Sequence, residues 1–210
     1  MTAMADDRVV HVVDDDEAVR DSLQFLLEAA AFRARLWASG PAFLDALPVE
    51  QNSCILLDVR MPEMDGVQVL ARLRERGVNA PVIIMTGHAD VPLAVRAMKT
   101  GADDFIEKPF VEQEILVCIR SHLASGRAER ISPPPADLTR RLAGLTPRER
   151  EVLDAVVAGS SNKRIGLDLG ISPRTVEIHR ARVMEKMSAR SLSELVRLSL
   201  AAGLDPDGDR

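Results

Sequence analysis

The stretch CILLDVRMPEMDG, residues 54 to 66, decides the fold of the first half of the chain. It begins as an apolar run typical of a buried strand, and the run ends on a carboxylate, Asp58. A charged group at the end of a buried strand is costly unless the fold carries it to an open edge with suitable partners. The flanking sequence therefore has to explain Asp58.

Four more short runs of β-branched and aliphatic residues lie on either side of this stretch. They are VVHVV (9–13), ARLW (34–37), PVIIM (81–85) and DFIE (104–107). The segments between them have apolar residues at three- and four-residue intervals, which is the pattern of amphipathic helices. Alternating strands and helices predict an α/β fold with a doubly wound, five-stranded parallel sheet that is covered by helices on both faces.

Charge divides the chain into two parts. Residues 1–123 carry 12 basic and 20 acidic side chains, whereas residues 138–204 carry 12 basic and 7 acidic ones. Between them, ASGRAERISPPPAD (124–137) has a Gly, three consecutive prolines and no apolar periodicity, which predicts a semi-rigid linker. We therefore expect two domains, 1–123 and 138–210, with different partners.

Composition argues against several classes of protein. Cys54 and Cys118 are far apart in apolar segments, which predicts reduced core residues and neither a disulfide framework nor a metal-ligand spacing. Aromatic residues make up only 3% of the chain, which disfavours a stacking platform for single-stranded nucleic acid. A basic leader is lacking, and no run approaches the roughly 18 apolar residues of a membrane span, so we expect a cytoplasmic protein without membrane contact.

Acidic side chains follow two strands of the predicted sheet. Asp14 and Asp15 come directly after the first strand, and Asp58 ends the third. The carboxyl ends of strands in a doubly wound sheet meet at one edge, so these carboxylates should lie close together. Crowded carboxylates repel each other unless a cation intervenes, and oxygen ligands suit Mg²⁺. The alternative is that the acids at 14 to 16 only favour the N-terminus of the first helix.

A hydroxyl group and an ammonium group reach the same edge. Thr86 follows the fourth strand and Lys108 follows the fifth. Each alone is typical of a loop hydroxyl or a solvated cation. Beside Mg²⁺ they would make a site that holds a phosphoryl group on Asp58, which would then be a nucleophile.

The second domain has only helical patterns. Thr146 and Ser191 each begin a capping box, Ser172-Pro173 begins a further helix, and NKRIGLDLG (162–170) forms a short one. Four helices are therefore predicted. The short helix, its glycine-containing turn and the helix over 173–187 have helix-turn-helix geometry, in which the second helix enters the major groove of DNA.

This second helix is predicted to have a core side and a DNA side. Val176, Val183 and Met187 recur at near-helical intervals and are typical of core residues. The remaining positions, with the start of the preceding helix, suit contacts with base edges and phosphates, although a solvated basic face is the alternative for any one of them. The predicted DNA contacts are Asn162, Lys163, Arg174, Thr175, Glu177, Ile178, His179, Arg180, Ala181, Arg182 and Lys186.

These motifs together resemble a two-component response regulator of the FixJ/NarL type. In the first domain the resemblance rests on VVDDDEAVRDSL, LLDVRMPEMDG and IIMTGHADVPLAVRAMKTGADDFIEKPF; in the second it rests on LTPREREVL, SNKRI and ISPRTVEIHRARVMEKM. It covers nearly the whole chain except the linker and the tail DPDGDR. It implies a flavodoxin-like receiver joined to a LuxR-type helix-turn-helix domain.

The resemblance assigns a role to each residue at the sheet edge. Asp58 matches the phosphoacceptor. Asp15, Asp58 and the backbone carbonyl of Arg60 would bind Mg²⁺, and Asp14 would assist through water.

Thr86 and Lys108 would bind phosphoryl oxygens, and Phe105 matches the aromatic switch position, where many relatives have Tyr. The Lys108-Pro109 bond is expected to be cis.

Two features of the second domain are read from the same resemblance. Gly166 stands where relatives commonly have Ala, and we expect it to cost about 1 kcal/mol of helix stability. The apolar face of SLSELVRLSLAA (191–202) either closes the domain core or makes dimer contacts.

The implied function is regulation of transcription. A sensor histidine kinase would phosphorylate Asp58, the protein would dimerise and bind double-stranded promoter DNA, and activation would involve RNA polymerase. Slow, Mg²⁺-dependent autodephosphorylation on Asp58 is also implied. One rival is an aspartyl-phosphate hydrolase, but such an enzyme needs a second acid where this chain has Arg60. The other is a constitutive DNA-binding protein whose receiver is a structural remnant or a module that docks a partner.

Overall fold

The computed structural model describes residues 8–87, 91–124 and 136–204, and their contacts divide the chain into two compact units. The first contains a parallel sheet with strand order β2-β1-β3-β4-β5, which confirms the predicted doubly wound fold. The strands are β1 (Val9–Val13), β2 (Arg33–Trp37), β3 (Ser53–Asp58), β4 (Val82–Gly87) and β5 (Asp104–Lys108).

Helices alternate with these strands along the chain. They are α1 (Glu17–Ala29), α2 (Gly40–Asp45), α3 (Gly66–Glu75), α4 (Val91–Thr100) and α5 (Glu112–Ala124). Asp16 caps α1 and Asp65 forms a capping box at the start of α3. Each of these aspartates therefore satisfies backbone N–H groups that the first helical turn leaves without partners.

One face of the sheet shows how alternation along the strands builds the core. Val10 and Val12 of β1 and Leu56 of β3 point to the same face. Leu23 of α1 and Ile115 of α5 pack against them, and all five side chains are fully buried. The core thereby fixes which strand residues point inward and leaves the strand ends as the open edge.

The register places the predicted site residues at that edge. Val13 pairs with Leu57, so the next residues, Asp14 and Asp58, stand side by side. Gly87 at the end of β4 pairs with Lys108. The parallel pairing thus brings together residues that are far apart in the sequence.

The second unit contains five helices within residues 136–204, one more than predicted. They are α6 (Ala136–Ala143), α7 (Pro147–Val157), α8 (Asn162–Leu169), α9 (Pro173–Met187) and α10 (Leu192–Ala201). The prediction of four helices was wrong because α6 directly follows the triple proline. Leu138 of α6 is buried in the core, and the Arg141 guanidinium donates to the carbonyl of Met187 at 2.8 Å. Residues 125–135, most of the predicted linker, lie outside the described residues.

The helix boundaries in this unit follow the predicted caps, with one difference. Thr146 and Glu149 form a complete capping box, and Ser172 caps α9. Ser191 caps α10, but the Glu194 carboxylate accepts from the N–H of Arg190 instead of that of Ser191. In the second predicted capping box, the hydrogen bond of the glutamate is therefore made to the residue before the N-cap and not to the N-cap itself.

The last helix contributes to the core of its own unit. Leu195 and Val196 are buried, and Leu195 packs in one cluster with core residues of α6, α7 and α9. This supports the core-closing alternative for these residues.

Two of the general predictions can be compared with the described residues. Neither Cys54, which is buried, nor Cys118, which is half-buried, forms a disulfide there. Within the same ranges, the helices are too short or too polar to cross a bilayer.

Candidate functional sites

An ammonium group bridges two buried carboxylates at the carboxyl edge of the sheet. Lys108 Nζ lies 2.6 Å from Asp14 Oδ2 and 2.5 Å from Asp58 Oδ1. Asp14 is 1% exposed and Asp58 is 6% exposed. Such buried charges are tolerated because each has a charged partner at hydrogen-bond distance. The sheet therefore assembles three of the predicted residues into one charged cluster.

The remaining oxygens of these carboxylates are held by the backbone. Asp58 Oδ2 accepts from the N–H of Arg60 at 2.7 Å, and Asp14 Oδ1 accepts from the N–H of Asp16 at 3.0 Å. Arg20, which the sequence did not single out, donates to the carbonyls of Asp14 and Asp15. The turn after β1 is thus fixed from both sides, and the Asp15 side chain is exposed beside it.

The pKa shifts describe a site that is short of positive charge. Burial is the main cause that raises the pKa of Asp58, and the nearby Asp14 charge acts in the same direction, against Lys108 and the Arg60 N–H. Burial lowers the pKa of Lys108, but its bonds to the two carboxylates outweigh this, and the pKa is raised overall. One ammonium group for two buried carboxylates leaves room for a further cation.

The two predicted switch residues have local hydrogen bonds in their own strands. Thr86 is buried in β4, and its hydroxyl donates to the Gly87 carbonyl over a long 3.4 Å. Phe105 is buried in β5, and its N–H donates to the Asp104 side chain. The Lys108-Pro109 bond is cis, as expected. Residues 88–90, which follow β4, lie outside the described residues.

On the second unit, α9 has the two sides that the periodicity predicts. Val176, Val183 and Met187 are buried. The opposite side exposes Arg174 and Arg182, for which the described part of the chain offers no ion-pair partner. The other exposed members of the predicted DNA set are Lys163, Glu177, Ile178, Ala181 and Lys186.

Three predicted DNA contacts are engaged within the protein. Lys186 Nζ lies 2.6 Å from Glu149 Oε2 and 3.2 Å from the Gly144 carbonyl, so its ammonium is directed to the start of α7. Arg180 donates to the Asn162 side chain at 2.6 Å. Lys186 therefore compensates the buried Glu149 carboxylate, and its contact with DNA stays a prediction.

The same ion pair lowers the pKa of Glu149. Hydrogen bonds from Lys186 and from the Thr146 N–H lower the pKa of Glu149 to about 2. The sequence identified Glu149 only as the second half of a capping box. Its partner on α9 could not be found from spacing, because the two residues are 37 positions apart.

Two further DNA candidates are only partly exposed. The Thr175 hydroxyl lies 2.8 Å from Ser172 Oγ at the start of α9. His179 Nδ1 is buried and lacks a hydrogen-bond partner among the described residues.

Gly166 has a steric role that the helix propensity does not show. A Cβ atom at this position would lie 2.7 Å from the carbonyl oxygen of Ile171, which is part of the turn between α8 and α9. The Gly166 carbonyl also accepts from the Ile171 N–H at 2.9 Å. The cost of this glycine to the stability of α8 stays a prediction, and the structure adds a steric role. The glycine permits the close approach that forms the turn.

Comparison with known families agrees with this division into two sites. Residues 10–120 match the model described as the response regulator receiver domain, and residues 143–199 match that of bacterial regulatory proteins of the luxR family. The chain belongs to the response regulator family. As a response regulator with a LuxR-type DNA-binding domain, it has an architecture consistent with phosphorylation-dependent regulation of transcription.

Similar response regulators match over nearly the full chain. The transcriptional regulatory protein FixJ of Azorhizobium caulinodans is 51% identical over 201 residues, which cover 95% of each protein. The C4-dicarboxylate transport transcriptional regulatory protein DctR of Rhodobacter capsulatus is 45% identical over 194 residues, covering 90% of this chain and 98% of that one. The crystal structure of full-length FixJ from B. japonicum is 49% identical, with a TM-score of 0.55, and the match covers 94% of this chain and 98% of that one.

The family has general consequences for ligands and partners. Receiver domains generally bind Mg²⁺ at their acidic phosphorylation site and receive the phosphoryl group from a sensor kinase. A luxR-family domain implies DNA binding.

Proposed function

We propose that Asp58 is the phosphoacceptor of this response regulator and that a sensor histidine kinase is the donor. The observation that carries the proposal is the Lys108 ammonium group held between Asp14 and Asp58 at 2.6 and 2.5 Å. This arrangement offers an oxygen nucleophile beside a fixed positive charge, which is what a transferred phosphoryl group requires.

The acidic cluster also fits Mg²⁺. Two buried carboxylates share one ammonium group, and the Asp15 carboxylate is exposed at the same edge. We propose that Asp15, Asp58 and the Arg60 backbone carbonyl hold the ion and that Asp14 assists through water. When bound, Mg²⁺ supplies charge that neutralises phosphoryl oxygens.

In the proposed transfer, an Asp58 oxygen attacks phosphorus, the phosphorus–nitrogen bond of the kinase phosphohistidine breaks, and an acyl phosphate forms. Lys108 pairs with one phosphoryl oxygen, and Thr86 donates its hydroxyl to another after its loop moves. Phe105 changes its packing at the same time as Thr86 moves. Water later hydrolyses the acyl phosphate slowly, which is the only enzymatic activity proposed.

We propose that phosphorylation shifts an existing equilibrium towards a dimer. Its two α9 helices then bind a two-fold promoter site, and RNA polymerase is contacted to activate transcription. Double-stranded DNA as the ligand would place this activity in the cytoplasm. The exposed basic side of α9 supports the proposal.

The experiment is intact-mass measurement after incubation with Mg²⁺ and a small phosphodonor such as acetyl phosphate. We expect one added phosphoryl group in the parent protein and in Asp21→Asn, a matched control on the exposed side of α1. We expect none in Asp58→Asn or in the presence of EDTA. Phosphorylation of Asp58→Asn at the parent level would refute the assignment of Asp58.

The downstream steps need a separate measurement. Sedimentation and DNA binding are compared for the phosphorylated and unmodified protein. Unchanged dimerisation and affinity would favour the constitutive DNA-binding alternative. Continuous release of phosphate from many phosphomonoesters would favour the hydrolase.

A further inference from the structure

A second cluster of ligating side chains lies between β5 and α5. Asp104 is the first residue of β5, and Cys118 and His122 are one turn apart on α5. Cys118 Sγ lies 3.5 Å from Asp104 Oδ2, and His122 Nε2 lies 3.6 Å from the same oxygen. These three residues are referred to as the β5–α5 cluster.

The outer atoms of two members are held by the backbone. Asp104 Oδ1 accepts from the N–H of Phe105 at 2.9 Å, which leaves Oδ2 facing the sulfur and the ring. His122 Nδ1 lies 2.8 Å from the Cys118 carbonyl and 3.1 Å from Ser121 Oγ, and we assign the ring proton to Nδ1 because a carbonyl can only accept and this contact is the shorter of the two that the ring makes with carbonyls. The contact of Nε2 with the Asp103 carbonyl is longer, at 3.4 Å.

In this tautomer Nε2 carries no proton, and it lies 3.4 Å from the Asp103 carbonyl and 3.6 Å from Asp104 Oδ2. Histidines that bind metal ions usually donate their other ring N–H to a backbone carbonyl or a carboxylate, because that bond fixes the ring. The Nδ1 contact of His122 has this form. This hydrogen bond is a separate feature from the distances between the three ligand atoms.

The spacing fits a tetrahedral ion. With the usual Zn–S, Zn–N and Zn–O bond lengths, tetrahedral geometry separates sulfur from oxygen by about 3.6 Å and nitrogen from oxygen by about 3.4 Å. The corresponding distances in the cluster are 3.5 and 3.6 Å. Two of the three donor separations therefore match a tetrahedral ion as they stand, and the ligand atoms all lie within 4.8 Å of one another.

The cluster is separate from the phosphoryl site. Asp104 and Lys108 are at opposite ends of β5, which places them about 13 Å apart along an extended strand. The donors also differ in chemistry. A thiolate and an imidazole select borderline metals such as Zn²⁺ or Co²⁺, whereas Mg²⁺ prefers oxygen.

We propose that the β5–α5 cluster binds a divalent transition metal, with Zn²⁺ as the best match. Asp104 Oδ2, Cys118 Sγ and His122 Nε2 are the protein ligands, and water takes the fourth position. Asp104 is partly exposed, so solvent can reach the ion. On binding, the Cys118 thiol releases its proton to solvent, and the metal–sulfur bond replaces the S–H bond. The ion then ties the start of β5 to α5.

The test is titration of the full chain with Co²⁺ in millimolar Mg²⁺, which keeps the phosphoryl site occupied. We expect visible bands of tetrahedral Co²⁺ and a near-ultraviolet thiolate-to-cobalt band at one equivalent. Zn²⁺ should displace Co²⁺ and raise the urea midpoint of the receiver. Cys118→Ser should abolish the thiolate band, and Asp104→Asn and His122→Gln should each weaken binding by about tenfold or more.

Cys54→Ala is the matched control, because Cys54 is the other cysteine of the chain and is buried in β3. Its Co²⁺ spectrum should equal that of the parent. An unchanged spectrum in Cys118→Ser, with circular dichroism showing a folded protein, would overturn the proposal. Octahedral Co²⁺ without thiolate absorption in the parent would also overturn it, and the cluster would then be an ordinary contact between β5 and α5.

Discussion

The two functional regions of this response regulator handle charge in opposite ways. At the sheet edge, Asp14, Asp58 and Lys108 are withdrawn from water and compensate each other. On α9, Arg174 and Arg182 extend into solvent. At the sheet edge, the fold holds buried charges in fixed positions, which suits a small ligand. On α9, the charges stay in solvent, where a large ligand can reach them.

This difference predicts which substitutions change the stability of the fold and which change only the binding of DNA. Removing a buried, paired charge leaves its partner uncompensated in a medium of low polarity, so the fold itself should be destabilised. Removing a solvated charge changes little until DNA is present. Substitutions of paired and of solvated charges separate the two cases. The single tryptophan, Trp37, lies in β2 and reports unfolding of the receiver alone.

The largest effect is expected for Lys108→Met in buffer without Mg²⁺. Asp14 and Asp58 would then face each other without a cation, and we expect the free energy of unfolding of the receiver to fall by about 3 kcal/mol. Urea unfolding followed by Trp37 fluorescence measures this. Added Mg²⁺ should restore part of the loss, since it can compensate the same carboxylates.

Lys163→Met is the control for Lys108→Met, because Lys163 is an exposed lysine of α8. It should leave the Trp37 transition unchanged. Equal stability of Lys108→Met and the parent would show that the ammonium group does not compensate the acidic pair.

The edge cluster could be predicted from the sequence because strand periodicity is local and parallel strands converge at their carboxyl ends. The register then needs only the positions of Asp58 and Lys108 at the ends of their strands. The partner of Lys186 could not be predicted in this way, since a helix face shows charge but not which neighbouring helix supplies a counter-charge. The β5–α5 cluster was missed for the same reason: Cys118 and His122 have a helical spacing, but Asp104 comes from another element.

A smaller effect, about 2 kcal/mol, is expected for Glu149→Gln, which removes a buried charge from the helical unit. The Lys186 ion pair is lost, and the N–H of Thr146 keeps only an amide acceptor. Loss of far-ultraviolet circular dichroism should occur earlier in urea, whereas the Trp37 transition should not move. An unchanged dichroism transition would contradict the structural role of this pair.

Glu149 also predicts a dependence on pH. Its pKa is about 2 in the folded protein, below the ordinary value of 4.5, so the folded state binds this proton less readily than the unfolded state. The stabilisation is therefore fully present above pH 4.5 and is lost as the pH falls towards 2. Glu149→Gln should flatten the acid side of the stability curve for the helical unit.

On the DNA side, Arg174→Ala and Arg182→Ala should each weaken promoter binding by about tenfold, which corresponds to about 1.4 kcal/mol. Their unfolding free energies should match that of the parent. If either arginine contacts phosphate, the slope of log affinity against log salt concentration should fall by about one. Fluorescence anisotropy at several salt concentrations measures both quantities.

Lys186→Met is the matched comparison for these arginine variants. Lys186 is bonded to Glu149, so its replacement should lower stability and leave the salt slope unchanged. A lower slope with unchanged stability would favour Lys186 as a phosphate contact over its role as the partner of Glu149.

The smallest effect, about 1 kcal/mol, is expected for Gly166→Ala, and here two physical effects compete. Helix propensity alone would stabilise α8 by about 1 kcal/mol, because alanine is the better helix former. The new Cβ would lie 2.7 Å from the Ile171 carbonyl oxygen, which is backbone and cannot rotate away. Overpacking of this kind costs about 1 to 3 kcal/mol, so the clash should win and the variant should be less stable.

Gly166→Ser tests whether helix propensity or the steric clash determines the change in stability at this position. Serine also has a higher helix propensity than glycine, so propensity would stabilise both variants. A steric limit would destabilise both, and serine at least as much as alanine. If the exposed arginines contact DNA as proposed, the turn between α8 and α9 sets their angle to it, so both variants should also bind promoter DNA more weakly in proportion to their loss of stability. Higher stability of Gly166→Ala would mean that the backbone of the turn moves to make room for the new Cβ atom. The connection between α8 and α9 would then be less rigid than the paired charges at the sheet edge, whose positions are fixed by hydrogen bonds.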